Sequence, residues 1–325
     1  MRNAPARLAA LAVTASLTLS AAFTGAFTGA ASATAARTPS HVHAARYVSL
    51  DDCGGPCGQW TVSMRDGSAL RLTDARTHPL SKHGRPVKDM GAPIGVSGDG
   101  TRVAYVRARD GRVVVRDLRG GLFTMPADAL PRAVERGSNL ALSLDGASLA
   151  VIAGSDSVPV RVYDVASARL VGTLPRGHHF VGFSGDGGEV LAAKGERHLY
   201  SFTRTGALLA HSAVPEDGPY ALNADGRTVA FMKGQDKQRR VVLWDLATGR
   251  ENVRIWVWMP RHRSFQMVEM LDWTANGQLT LHVEDDVMRE PTRMSILLLD
   301  LATSRFTVRD RYTVRPKAWG FEACG

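Results

Sequence analysis

The chain has 325 residues, of which 44% are hydrophobic and 22% charged, and it carries a formal charge of +9. That balance excludes an intrinsically disordered chain, and the length is enough to bury a large core. The basic excess points to anionic neighbours such as cell-wall polymers, lipid head groups or acidic partners.

Arg2 and Arg7 precede an apolar run from Leu8 to Leu19, and small residues then lead to Ala31-Ser32-Ala33. A positive start, a short apolar core and an A-x-A site predict a secretory signal peptide over 1–33. The run is shorter than the roughly 20 residues of a spanning helix, and no later segment is long enough either. Residues 34–45 read as a flexible leader and 46–325 as one folded domain. Loss of Arg2 and Arg7 takes the charge from +9 to +7. The expected location is secreted, extracellular or attached to the cell wall, with no transmembrane segment in the mature chain.

From Gly95 to Gly121 the chain reads GVSGDGTRVAYVRARDGRVVVRDLRGG, two hairpins in succession with a turn at Asp99-Gly100. The signature returns at LSLDGASLAVIAG, GFSGDGGEVLAAK, LNADGRTVAFMKG and, weakened, LDWTANGQLTLHV. Aligning Asp99, Asp145, Asp186, Asp225 and Asn276 gives spacings of 46, 41, 39 and 51. Periods of about 40 to 50 residues with four short strands per unit are those of a β-propeller. First strands are expected at Leu140 to Leu144, Val181 to Ser184 and Ala221 to Asn223. Third strands end mostly in Asp, at Asp164, Asp245 and Asp300. The Asp-Gly pairs are turn residues, expected in two-residue turns of the primed type where positive φ is required, and are not catalytic.

The pattern S-x-D-G-x-x-[LV]-A followed by V-x-V-x-D-L-x-x-G, as in VVLWDLATGR and VRVYDVASAR, resembles TolB-like and WD-repeat β-propeller units over about 70 to 310. The resemblance implies an all-β propeller and a platform for protein, peptide or sugar ligands. The Gly-His dipeptide of true WD repeats is absent from most units, and only Trp244-Asp245 spells WD.

Five full units lie between about 92 and 310. The stretch from Tyr47 to Leu72 supplies the second, third and fourth strands of a further blade, and the tail KAWGFEACG an apolar strand without a home. Placing that tail innermost in the incomplete blade closes the ring and removes a bare edge. The expectation is six blades, the first closed by the C-terminal strand, in a monomer. Cys53, Cys57 and Cys324 are the disulfide candidates: Cys324 can bond Cys53 or Cys57 across the closure, and Cys53 with Cys57 is the rival pairing.

In a propeller the fourth-to-first and second-to-third connections share one face, opposite the Asp-Gly turns, and ligands usually sit there. The longest connections run from Asp74 to Ala92, Leu122 to Ser138, Trp256 to Gln266 and Glu284 to Arg293. They and their neighbours carry the candidate ligand-binding residues His178, His179, Lys233, Arg239, Arg240, Trp258, Arg261, His262 and Arg263. Arg forks and a Trp suit an acidic or stacking ligand. Trp256 and Trp258 alternate at strand spacing and share a face. No G-x-S-x-G or H-E-x-x-H motif is present, so no catalytic residue, cofactor or metal ligand is assigned. No basic stripe interleaved with aromatics points to nucleic acid. The reading is a secreted, non-catalytic propeller binding a protein, peptide or anionic envelope polymer. The alternative is a metal-dependent hydrolase or lactonase built around His178-His179 at the channel mouth.

Overall fold

The computed structural model describes residues 44–155, 157–195, 197–216, 218–234, 239–259, 266–275, 277–285 and 291–323. Local turn chemistry builds each blade. Ser97 Oγ donates to Asp99 Oδ1 (2.6 Å) and accepts from the Arg102 N–H (2.9 Å), and Asp99 Oδ1 also takes the Thr101 N–H (2.9 Å). The same clamp recurs at Ser143 with Asp145 and Ser148, and at Ser184 with Asp186 and Glu189. Each serine hydroxyl thus supplies both a donor and an acceptor inside the turn.

The turn type differs from the primed two-residue form expected from the sequence. Only the glycines are left-handed, with φ of 74° at Gly100, 67° at Gly146, 72° at Gly187 and 67° at Gly226, and the aspartates are not. The Ser97 N–H bonds the Arg102 carbonyl across four intervening residues. The side-chain clamp stabilises this wider turn, so Asp acts as an acceptor rather than as a residue tolerant of positive φ. Gly100 is also forced by packing: a Cβ there would lie 2.4 Å from the Ala45 carbonyl oxygen.

The first blade holds β1 (Ala45–Asp52), β2 (Pro56–Met64) and β3 (Ala69–Arg71). The second holds β4 (Ile94–Val96), β5 (Arg102–Val106), β6 (Val113–Asp117) and β7 (Leu122–Thr124). Next come β8 (Asn139–Leu142), β9 (Ser148–Ile152), β10 (Arg161–Asp164) and β11 (Arg169–Thr173), then β12 (His179–Phe183), β13 (Glu189–Ala193), β14 (His198–Thr203) and β15 (Leu208–Ala213). The fifth blade is β16 (Tyr220–Leu222), β17 (Thr228–Lys233), β18 (Arg240–Asp245) and β19 (Arg250–Trp256). The sixth is β20 (Gln266–Ala275), β21 (Gln278–Asp285), β22 (Arg293–Asp300) and β23 (Arg305–Thr313), and β24 (Ala318–Ala323) ends the chain's strands.

Six four-stranded sheets result, five in simple chain order and one ordered β24-β1-β2-β3. The protein is a six-bladed β-propeller whose first blade is completed by the C-terminal strand. β24 pairs antiparallel with β1 from Tyr47 opposite Ala323 to Asp51 opposite Ala318. Arg46 bonds Asp310 at 2.7 Å and Tyr47 stacks on Tyr312 with centroids 5.3 Å apart, joining the first blade to the last. Part of the connection expected from Leu122 to Ser138 is strand β7.

The core lies between blades. Alternation along β5 sends Val103 and Tyr105 into a cluster with Val48, Trp60 and Val62 of the first blade, and Ala104 and Val106 into one with Leu149, Val151 and Tyr163 of the third. Third strands end in Asp because its carboxylate caps the next turn: Asp164 takes the Ser167 N–H and Asp300 the Thr303 N–H, both at 2.8 Å. Cys53 bonds Cys57 across the β1–β2 hairpin. Of the rival pairings this is the one within the hairpin; Cys324 lies outside the described residues.

Candidate functional site

The blade order puts the fourth-to-first connections on one face, and the first two are pinned to each other. Arg76 Nη1 lies 2.6 Å from Glu135 Oε2, and Glu135 is buried. The candidate basic residues on this face largely have partners within the protein. Lys233 Nζ is 2.6 Å from a Glu216 carboxylate oxygen. Arg239 donates to the Met259 sulfur and the Gln266 carbonyl, each at 2.8 Å, which ties the top of the fifth blade to β20. Arg240 lies over the Trp256 ring, 5.4 Å from its centroid. His178 meets Tyr200 and Phe202 edge-on, at 4.7 and 5.4 Å, with its Nδ1 3.2 Å from the Pro175 carbonyl. His179 is exposed at the start of β12. Arg261, His262 and Arg263 lie outside the described residues.

Trp256 and Trp258 share the outward face of the fifth blade's rim, 52% and 70% exposed, while Val257 between them is buried. Strand alternation produces this: one side of the segment enters the core and the other faces water.

Sequence reasoning placed an alternative site at the channel mouth but missed the carboxylates inside the channel. The six inner strands enclose a cavity of about 390 Å³ along the axis, and three carboxylates line it: Glu269 and Asp272 from β20 and Glu322 from β24. Phe180, Phe183, Tyr220 and Trp273 line the same space. At one end a second cavity of about 350 Å³, bordered by Trp60, Met90 and Trp319, shares Glu322 and Asn139 with the first. Among the described residues no Lys or Arg lines either cavity, although the chain has 40 of them.

Burial pushes the Asp272 carboxyl up to about 7, and its Oδ2 is buried with no hydrogen-bond partner. Glu322 is exposed to the lumen, yet the protein atoms around it desolvate its carboxyl and raise it to about 7. A sequence signal for Asp272 exists. It faces Thr280 across the ladder as Gly95 faces Ala104, Ala141 faces Ala150 and Ala221 faces Ala230. The sixth blade thus carries a carboxylate where the second, third and fifth carry a small residue.

Among the described residues no group of three or more His, Cys, Asp or Glu is placed to hold a metal ion. No helix of the described residues is long and apolar enough to cross a membrane.

No known protein family and no curated protein matches the chain. Many solved structures resemble it at a distance, three of them as follows. TolB from Acinetobacter baumannii is 14% identical, with 87% of this chain and 67% of that chain covered and a TM-score of 0.47. A chain of a nidogen/laminin complex is 12% identical, with coverage of 85% and 97% and a TM-score of 0.41. Hydrazine synthase from Kuenenia stuttgartiensis is 16% identical, with 66% of this chain covered and a TM-score of 0.39, and this chain spans 64% of that one. At these values the fold rests on the six sheets themselves, and function on this chain's own residues.

Proposed function

We propose that the chain is an exported, non-catalytic binding propeller that takes a protein or peptide partner on the rim of the fifth blade. The observation that carries this reading is the exposed pair Trp256, at the end of outer strand β19, and Trp258, just past it. Tryptophan brings a large apolar area and a polar N–H at low entropic cost, and aromatic side chains dominate the energetics of protein contacts. Arg240 already rests on Trp256, so part of the surface is ordered before the partner arrives. Arg239 and Lys233 are engaged within the protein, so a partner is recognised first by the rings and second by charge, with Arg261, His262 and Arg263 following Trp258 in the same connection. Export is supported by the basic start, the apolar run and the A-x-A site at Ala31-Ser32-Ala33.

The test is capture from the producing cell's envelope and culture fluid, followed by titration of the recovered partner against the mature chain and against W256S/W258S. The double variant loses at least about tenfold in affinity with an unchanged melting temperature. Equal affinity removes the rim from consideration. Chain recovered from the culture fluid begins at Thr34; recovery only inside the cell with residues 1–33 attached overturns export.

A further inference from the structure

We propose that the central channel is a binding site for an organic cation, an ammonium group on an aliphatic or aromatic carrier. The site is separate from the rim of the fifth blade and does not depend on it.

Charge selects the ligand's sign. Glu269, Asp272 and Glu322 line the channel, and no Lys or Arg among the described residues faces them across it. Tyr220 is the other titratable group on the wall, and its hydroxyl donates to the Glu216 carbonyl. In a chain with a net charge of +9, an acidic interior without counter-charges is a local departure from the composition.

The orphaned oxygen is the second observation. Asp272 lines the cavity, and its Oδ2 is enclosed within the wall and accepts no hydrogen bond. Buried polar atoms are nearly always satisfied, and leaving one unpaired is costly. A cation held against the Asp272 carboxylate from the lumen offsets that cost. Desolvation raises the affinity of the Asp272 and Glu322 carboxyls for protons, which a cation brought to them opposes.

The wall chooses an organic cation over a metal ion. The carboxylates do not converge as a metal's ligands must. Rings share the wall with them, with Phe180 edge-on to Phe183 at 5.2 Å. Aromatic rings attract cations and pack against the carbon chain that carries them. A volume of about 390 Å³ is in the range of small-ligand sites. Glu322 borders both the channel and the mouth cavity lined by Trp60 and Trp319, which offers a cation a carboxylate at the junction of the two.

Calorimetric titration of the mature chain with benzylamine, cadaverine and Nα-acetyl-lysine amide tests the proposal, with benzyl alcohol as the uncharged control. The ammonium compounds bind and the alcohol does not. Because a bound cation requires the carboxyls ionised, affinity rises about tenfold per ionising carboxyl between pH about 6 and about 8.5, with release of protons into the buffer. The variants D272N and E322Q, singly and together, weaken binding at least about tenfold with the circular dichroism of the wild type, while W256S/W258S binds as the wild type does. Preference for the lysine amide identifies a lysine-bearing chain as the source, and preference for the free amines a small metabolite. The proposal fails if none of the ammonium compounds binds at either pH, if benzyl alcohol binds as well as benzylamine, or if D272N/E322Q retains full affinity.

Discussion

Asp272, half-buried with Oδ2 fully enclosed, and His282, buried, are titratable residues on adjacent strands of the sixth blade, and their effects on stability oppose one another. Asp272 has its folded value raised to about 7, so the folded state holds a proton that the unfolded state has already lost. Its contribution is therefore lost as pH rises from about 4 through about 7. D272N is expected to raise stability by about 2 to 4 kcal/mol above pH about 7 and by less at pH about 5. His282 on β21 is buried, neither ring nitrogen has a partner, and burial followed by the charges of Arg309 and Arg65 lowers it to about 3. The unfolded chain takes up that proton first, so stability falls as pH drops from about 6.5 towards about 3. H282L removes two unsatisfied polar atoms and this acid sensitivity together, and is expected to raise stability by about 2 kcal/mol at pH about 5 and by less at pH about 8. Chemical denaturation of each variant at the two pH values checks both signs.

Among hairpins the informative comparison is the turn between third and fourth strands. The fifth blade has Gly249 there with φ of 64°, while the third has Ala168 at 55° and the sixth Ser304 at 56°. An L-residue in this left-handed conformation is strained, and glycine is not. A168G and S304G are each expected to raise unfolding free energy by about 0.5 to 1 kcal/mol, and G249A to lower it by about 1 kcal/mol. A Cβ at Gly249 would meet only Ser212 Cβ at 3.7 Å, so the change there is conformational rather than a clash. Urea unfolding read at the midpoint, with an unchanged slope, measures it.

For the whole ring, closure by β24 outweighs the disulfide. Deleting residues 318–325 strips the inner strand from β1 and opens the channel wall that holds Glu322. The truncated chain is expected to aggregate and to lose its single cooperative thermal transition, because a bare strand edge invites pairing with other chains. C53S/C57S removes a bond that closes only the short β1–β2 hairpin and costs about 2 kcal/mol at most, with the transition still cooperative. Scanning calorimetry and size-exclusion chromatography separate the two outcomes.

The sequence by itself determined the blades, their number and the closing role of the tail. The Ser, Asp and Gly of each first turn and the Asp ending most third strands act within a few residues of themselves, and the period that repeats them is read along the chain. Even there the turn's conformation needed coordinates, because the serine clamp and the primed turn use the same Asp-Gly pair. The exposure of Trp256 and Trp258 was half legible: alternation put them on one face, and only packing of Val257 decided which face met water. The channel was decided by tertiary structure alone. Asp272 and Glu322 stand on the inner strands of different blades, and desolvation, the physical cause of their altered acidity, exists only once the ring has closed around them.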